Sequence, residues 1–199
     1  MMHAPRVARP GDVCILLEPD TDEIPRLRAL QSHLQSSFGG RPQDRVHFTG
    51  QRFRLPGAAH LPPLLQELQK QLANLPPFPV RAHCLELVEH PFWEFCVLRW
   101  DLHRTAPMWR FARSVENALL RSGMTPHYPC DDGWRPHVTA LEAIPSPNGF
   151  HFNGTHQGER LYTARRVTLS QLQQGKRFQI LATIELMGKN ERPDEHMIK

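Results

Sequence analysis

One short pattern, Arg-x-His-x-Thr, occurs twice in this chain and limits its possible folds more than any other feature. The first copy spans residues 45–49 and the second spans residues 135–139. Each copy is set among β-branched, aromatic or apolar residues, such as Phe48 and Val138, and this composition favours strands. Residues two apart in a strand point to the same side of the sheet. The pattern therefore predicts two strands, each presenting an imidazole and a hydroxyl on one face.

The full pattern is far more specific than its His-x-Thr part. His-x-Thr alone is expected roughly half a time by chance in such a chain. His103-Arg104-Thr105 is a match of that kind, because Asp101 and not arginine stands two positions before His103. The longer pattern is expected only about 0.05 times, yet the chain contains it twice. We therefore interpret the duplication as a reaction site and His103 as a decoy.

Two histidines that face each other across a cleft can act as an acid and base pair, because histidine titrates near neutral pH. Cleavage of a phosphodiester needs such a pair. His47 and His137 are the predicted acid and base, although the near-symmetry of the motifs leaves open which is which. Thr49 and Thr139 can donate hydrogen bonds to the non-bridging phosphate oxygens. Arg45 and Arg135 precede the histidines by two positions, where a guanidinium can clamp a phosphate.

The residues that accompany the histidines favour chemistry without a metal or cofactor. A catalytic zinc usually has three protein ligands, but neither strand adds a carboxylate or a cysteine on the predicted histidine face. Gln51 shares that face by alternation and is predicted to contact the substrate, whereas Arg52 and Arg54 are predicted to be solvated on the other face. Trp134 is a candidate for stacking a base near the cleft. For Trp134, as for Tyr128 and Phe150, packing in the core is the alternative.

The remaining periodicities predict a mixed α and β chain. Residues 13–17 form a continuous apolar run, which predicts a buried central strand. Helices are predicted over residues 24–38, 61–75 and 106–121, from apolar residues at helical spacing. Asp22 is the expected cap of the first helix and Gly123 of the third. Further strands are predicted over residues 78–88 and 92–102, with a turn at His90-Pro91. Residues 143–160 are predicted to be a surface loop, and residues 166–172 and 177–186 a closing hairpin that turns at Gln174-Gly175.

Length, charge and cysteine usage set the broad class. With 199 residues and 40% hydrophobic residues, the chain is expected to form one domain, 1–199, with a core of about residues 11–187. The net charge of +4 mildly favours an anionic partner such as RNA or nucleotides, although a merely basic protein fits equally well. The four cysteines are scattered without a Cys-x-x-Cys pair, and no apolar run is long enough to span a membrane. We therefore expect a reduced, cytoplasmic monomer without a membrane partner.

Two His-x-Thr strands in two α/β halves, the apolar first strand and the closing hairpin resemble the 2H phosphoesterase superfamily, and within it the 2′-5′ RNA ligase-like branch. Val46 stands where that family often has proline. The resemblance implies an α+β, bilobal fold, in which two related halves with antiparallel sheets surround a central cleft. It also implies metal-independent activity on 2′,3′-cyclic phosphates or 2′-5′ linkages of RNA ends or nucleotides. His47 and His137 would then be acid and base, and Thr49 and Thr139 would hold the phosphate.

Two alternatives compete with this function. One is an RNA-binding module of the same fold that has lost catalysis, against which the intact His and Thr of both motifs argue. The other is a hydrolase of a different small cyclic or 2′-5′ phosphodiester. The sequence does not separate this second alternative from RNA end processing.

Overall fold

The structure is a computed structural model that describes residues 8–89, 95–145, 158–174 and 177–188. Within these ranges it contains three α-helices and nine strands. In chain order they are β1 (Asp12–Glu18), α1 (Ile24–Phe38), β2 (Arg41–Pro42), β3 (Phe48–Arg54), α2 (Leu61–Leu72), β4 (Phe78–Glu89), β5 (Cys96–Leu102), α3 (Ala106–Arg121), β6 (His137–Ile144), β7 (Arg160–Ala164), β8 (Arg166–Leu172) and β9 (Phe178–Glu185).

The strands form one curled antiparallel sheet in the order β7-β4-β5-β6-β3-β1-β8-β9, with β2 paired to β6 outside this path. The order divides into two related halves. One half runs outward from β3 through β1 and β8 to β9, and the other runs outward from β6 through β5 and β4 to β7. In each half, a strand, a helix and a motif strand follow one another along the chain, as β1-α1-β3 and as β5-α3-β6. The predicted mixed fold with two related halves is therefore confirmed.

The two halves meet at a short crossing of the motif strands. Where the structure describes them, β3 and β6 pair at Phe48–Val138 and then diverge. Past the crossing each strand gains a new neighbour on the vacated edge. β2 pairs with β6 at Arg41–Glu142, and the amide of His127 donates to Arg52 O at 2.8 Å beside β3. The crossing therefore brings the centres of the two motifs together.

Each helix that precedes a motif strand packs on the motif strand of the other half: α1 contacts β6, and α3 contacts β3. On α3, Phe111 is fully buried and its ring lies 6.3 Å from that of Phe48. Phe111 also explains why residue 50 is glycine, since a Cβ at Gly50 would lie 2.4 Å from its ring. The helix therefore covers the face of β3 that carries Phe48 and leaves the His47 face on the other side.

Several elements have the bounds that the sequence predicts. The first strand is buried along nearly its whole length, α1 and α3 begin and end where their periodicities do, and the closing hairpin is present. Helix α2 is shorter than predicted, because it ends at Leu72 rather than at residue 75. Leu75 is nevertheless buried, so the apolar spacing identified a core residue outside the helix.

Three predictions about local structure are wrong. Glu23, not Asp22, is the N-cap of α1, and no side chain caps that end. Helix α3 has Ser122 as its C-cap, with Gly123 just beyond it at a positive φ of 73°. The third is the absence of a strand between the predicted loop and the closing hairpin: β7 begins at Arg160, the last residue of that loop.

Some predictions lie outside the described residues. These are the turn at His90-Pro91, position 175 of the last hairpin turn, and most of the proposed long loop, which includes Phe150.

Candidate active site

The four motif side chains share one face of the sheet at the crossing of the halves. Because Phe48 and Val138 are paired and buried against the core, their neighbours in each strand point to the opposite side. His47 and Thr49 on one strand, and His137 and Thr139 on the other, are all partly exposed. The register therefore groups two imidazoles and two hydroxyls, as the duplicated pattern predicts. We call this side of the sheet the motif face.

The two histidine rings make the same kind of hydrogen bond, each to the backbone of its own motif. His47 Nδ1 lies 2.7 Å from Arg45 O, and His137 Nδ1 lies 3.1 Å from Arg135 O. A carbonyl oxygen only accepts, so Nδ1 carries the proton in each ring and donates it to the backbone two residues earlier. This leaves Nε2 of each neutral ring with a free lone pair. The two imidazoles are therefore fixed in one tautomer and present the same reactive atom.

The surroundings of His47 are a carboxylate and an aromatic ring. Glu18, at the end of β1, receives two hydrogen bonds from Arg45, one of them at 2.7 Å from Nη2, and another at 2.8 Å from Thr168 Oγ1. Burial acts to raise the pKa of Glu18, but these hydrogen bonds lower it overall. Phe178 lies against His47 with ring centroids 5.7 Å apart. His47 thus lies beside a stable negative charge.

The surroundings of His137 are dominated by an arginine. In β5, Arg99 is the cross-strand partner of Thr139, and Asp101 is the partner of His137. Arg99 donates from Nη2 to Glu86 Oε2 at 2.8 Å, and its Nε lies 2.9 Å from Asp101 Oδ1. Burial raises the pKa of Asp101, which the carboxylate of Glu86 raises further. We call Arg99, Glu86 and Asp101 the β4–β5 charge cluster.

The pKa of each motif histidine is lowered, but the neighbouring charges differ. For His47, burial lowers the pKa, while the hydrogen bond to Arg45 O and the carboxylate of Glu18 act to raise it. For His137, burial lowers the pKa to about 4, and the positive charge of Arg99 is the next largest cause in the same direction. The proximity of His47 lowers the pKa of His137 as well. Neighbouring charge therefore favours an imidazolium at His47 and disfavours one at His137.

A β-bulge overturns the face that the sequence predicts for two residues. In the pairing of β1 with β3, Ile15 is opposite Gln51 and Leu16 is opposite Thr49, so Gly50 is an extra residue. An extra residue moves everything after it to the other face.

The bulge therefore moves the side chains of Gln51 and Arg52 to the faces opposite to those predicted. Gln51 leaves the motif face, is 2% exposed and binds the backbone of Tyr128, so its predicted contact with the substrate does not fit the structure. Arg52 is not solvated: it is 7% exposed and donates to Tyr128 Oη at 2.6 Å. The prediction of a solvated side chain is correct for Arg54, which is exposed.

The other predicted binding residues lie in different settings. The Arg45 guanidinium is engaged by Glu18, so its first role is to hold that carboxylate. Arg135 is exposed, two positions before His137, and its contact with a phosphate stays a prediction. Trp134 is 7% exposed and packs between Phe48 and Trp109, with centroids 5.9 Å and 5.2 Å away, which is the core environment weighed as the alternative to base stacking.

Sequence reasoning missed the residues that border the motifs. Glu18, Arg99, Asp101 and Phe178 lie on other strands, and only the pairing of those strands brings them to the motif face. One signal was available for two of them: Glu18 is the last residue of β1 and Asp101 the last but one of β5, and each of these strands precedes a helix and a motif strand. No three His, Cys, Asp or Glu side chains are grouped as metal ligands would be among the residues described.

Solved structures of 2H phosphoesterases share this fold. The chain matches E. coli LigT in its apo form with a TM-score of 0.61 at 16% identity, over 89% of this chain and 98% of that one. It matches TT0787 of Thermus thermophilus with a TM-score of 0.63 at 18% identity, over 89% and 99% of the two chains. The MHV ns2 PDE domain gives 0.55 at 16%, over 80% and 99%. The chain therefore has the 2H phosphoesterase fold that the motifs predict.

Comparisons of sequence alone find nothing similar. No protein-family model matches the chain, and none of the curated proteins matches it significantly. In the described part of the chain, every helix is too short or too polar to cross a bilayer.

Proposed function

We propose that this protein is a metal-independent phosphodiesterase that hydrolyses 2′,3′-cyclic phosphates of RNA ends or nucleotides, with 2′-5′ linkages as related substrates. The observation that carries the proposal is that the two histidines have the same tautomer. Each donates Nδ1–H to a carbonyl, so that each keeps Nε2 for the reaction. A reaction that needs one proton acceptor and one proton donor on either side of a single phosphorus fits such a pair.

Neighbouring charge assigns the two roles. His137 lies near Arg99, which disfavours its protonated form, and it therefore acts as the general base. His47 lies near Glu18, which favours its protonated form, and it therefore acts as the general acid. We propose this assignment for two roles that the nearly symmetric motifs leave open.

The reaction then follows an in-line displacement. His137 Nε2 takes a proton from water as the water oxygen forms a bond to phosphorus. The bond from phosphorus to the ribose 2′- or 3′-oxygen breaks, and that oxygen receives the proton of His47 Nε2. The hydroxyls of Thr49 and Thr139 donate to the non-bridging oxygens, where negative charge increases. The product is a nucleoside monophosphate, and exchange of protons with solvent restores the two histidines.

Likeness of fold supports a nucleotide substrate. The E. coli LigT structures include complexes with 3′-AMP, with ATP and with phosphate. The first of these is a nucleoside monophosphate with its phosphate on the ribose ring, as in one product of the proposed reaction. A phosphate esterified to a ribose is accordingly the group that we propose for the motif face.

The test is a panel of three substrates: adenosine 2′,3′-cyclic phosphate, a 2′-5′ dinucleotide, and a short RNA with a terminal cyclic phosphate. We expect turnover in EDTA, and we expect His47→Ala and His137→Ala each to lower kcat/KM by about 10²–10⁴-fold. His103→Ala is the matched control, since its His-x-Thr match lacks the arginine and follows the end of β5, and it should retain the full rate. Binding of the RNA without turnover would instead support the inactive RNA-binding module. Activity that is lost in EDTA and restored by a divalent ion would contradict the metal-independent mechanism.

A further inference from the structure

We propose that Phe178 is the stacking platform for the nucleobase of the substrate, so that the nucleoside lies on the His47 side of the crossing. This inference rests on the proposed function and adds the orientation of the substrate. It assigns a substrate contact to β9, a strand that carries neither motif.

The position of Phe178 is unusual for a ring that serves the core. It begins β9, and its cross-strand partner is Leu172 on β8. Its ring meets the His47 ring at 5.7 Å with the planes inclined by 74°, yet Phe178 remains partly exposed. An aromatic ring that touches a reactive imidazole and still reaches solvent can be covered by a bound ligand.

The ring is held in place from two directions. The Arg45 guanidinium lies over it, with Cζ 5.5 Å from the ring centroid, and Glu18 fixes that guanidinium. The start of the strand is fixed as well, because the amide of Gln173 donates to Arg177 O at 2.7 Å across the hairpin. A ring ordered before the ligand arrives stacks a base at a low cost in entropy. Stacking tolerates any base, because every base has a π face.

The chemistry places the nucleoside on the same side. In hydrolysis of a 2′,3′-cyclic phosphate, the leaving oxygen belongs to the ribose, and the proton donor to that oxygen is His47. Water enters in line from the opposite side, next to His137. The ribose and its base must therefore extend past His47, which is where Phe178 lies. The His137 side offers the β4–β5 charge cluster instead, which suits a polar nucleophile and not a planar base.

The experiment compares a substrate with a base and one without. Adenosine 2′,3′-cyclic phosphate and glycerol 1,2-cyclic phosphate share the five-membered cyclic phosphate, but only the first can stack. For Phe178→Ala we expect KM for the adenosine substrate to rise about 5- to 150-fold, the range typical of one base stack, with kcat nearly unchanged. Kinetics on the glycerol substrate should not change. Phe178→Trp should restore the low KM, and Ile180→Ala is the matched control, because it removes an exposed side chain from the same strand.

The outcomes separate the two proposals. Equal loss on both substrates would mean that Phe178 only positions His47, and an unchanged KM for the adenosine substrate would mean that the ring has no contact with the base. Either result overturns the inference and leaves the hydrolase proposal standing.

If the unmodified protein hydrolyses neither substrate, the hydrolase proposal fails, and calorimetry then decides the inference. Adenosine 2′-monophosphate should bind more weakly to Phe178→Ala than to the unmodified protein, while inorganic phosphate should bind both equally. Equal binding of the nucleotide would overturn the inference.

Discussion

Replacing Arg99 by methionine should change the pH dependence of the reaction at one histidine only. Arg99 is the neighbouring cation that lowers the pKa of His137. The substitution removes this cation and leaves Glu86, whose carboxylate acts to raise the same pKa. Only the cation is lost, and no remaining carboxylate opposes the change, so the pKa of His137 rises from about 4. The general base must be neutral, and the acidic limb of kcat/KM therefore moves to higher pH.

The size of the effect follows from the register of β5 and β6. Arg99 is opposite Thr139, so His137 is its diagonal neighbour, at about 7 Å. A unit charge at that distance contributes about 0.6 kcal/mol at the dielectric constant of water and about 2.4 kcal/mol at an effective value of 20. These energies correspond to a rise in the pKa of His137 of about 0.4 to 1.7.

Two measurements check this prediction. The first is kcat/KM from pH 3.5 to 9, which reports the free enzyme: we expect an acidic limb near pH 4 in the unmodified protein and a higher one in Arg99→Met. The second is an NMR titration of the His137 ring, which does not depend on activity. Arg99→Lys keeps the charge and is the matched control, so its acidic limb should stay near pH 4. An unmoved His137 titration in Arg99→Met, or the same movement in both variants, would refute the electrostatic role of Arg99.

Two further predictions concern the other half of the crossing. Glu18→Gln removes the carboxylate that raises the pKa of His47, so the alkaline limb of kcat/KM should move to lower pH; an alkaline limb that stays in place would show that Glu18 does not set the acid. Gly50→Ala places a methyl group against the Phe111 ring and should lower the free energy of unfolding by about 1–3 kcal/mol in urea titration. Gly57→Ala, whose added Cβ has 3.9 Å of clearance, is the control, and equal stability of the two variants would contradict the packing argument.

The sequence predicts an element best where one period extends over its whole length. The run from residue 13 to 17 and the apolar face of α3 lack interruption, and the structure places both as expected. Strand β7 was missed because its buried residues, Leu161, Tyr162 and Ala164, follow a stretch rich in proline, glycine and asparagine. Tyr162 is ordered by a distant partner, since its hydroxyl donates to Leu17 O at 2.9 Å. Such a contact leaves no local pattern.

The site was predicted as far as strict alternation allows. Alternation within each motif groups His47 with Thr49 and His137 with Thr139, and it continues correctly until the bulge at Gly50. From there it assigns Gln51 and Arg52 to the wrong faces. The reason for the glycine is the ring of Phe111, which lies sixty-one positions further along the chain. A single residue therefore changes the composition of the site for a reason that only the packed fold contains.

The comparison of the two halves explains how a nearly symmetric scaffold can carry two different roles. Beside Thr49 the neighbouring strand has Leu16, which is fully buried, and beside Thr139 it has Arg99. Two residues further along each of these strands, on the same face, there is an acid: Glu18 in one half and Asp101 in the other. A carboxylate acts to raise the pKa of each histidine, Glu18 for His47 and Glu86 for His137. The arginines differ in their effect: Arg99 is the largest charge effect on the pKa of His137 and lowers it, whereas the charge of Arg45 lowers the pKa of His47 by less than the carboxylate of Glu18 raises it. The proposed division into acid and base therefore depends on a residue outside the motifs, at a strand position that pairs with one of them.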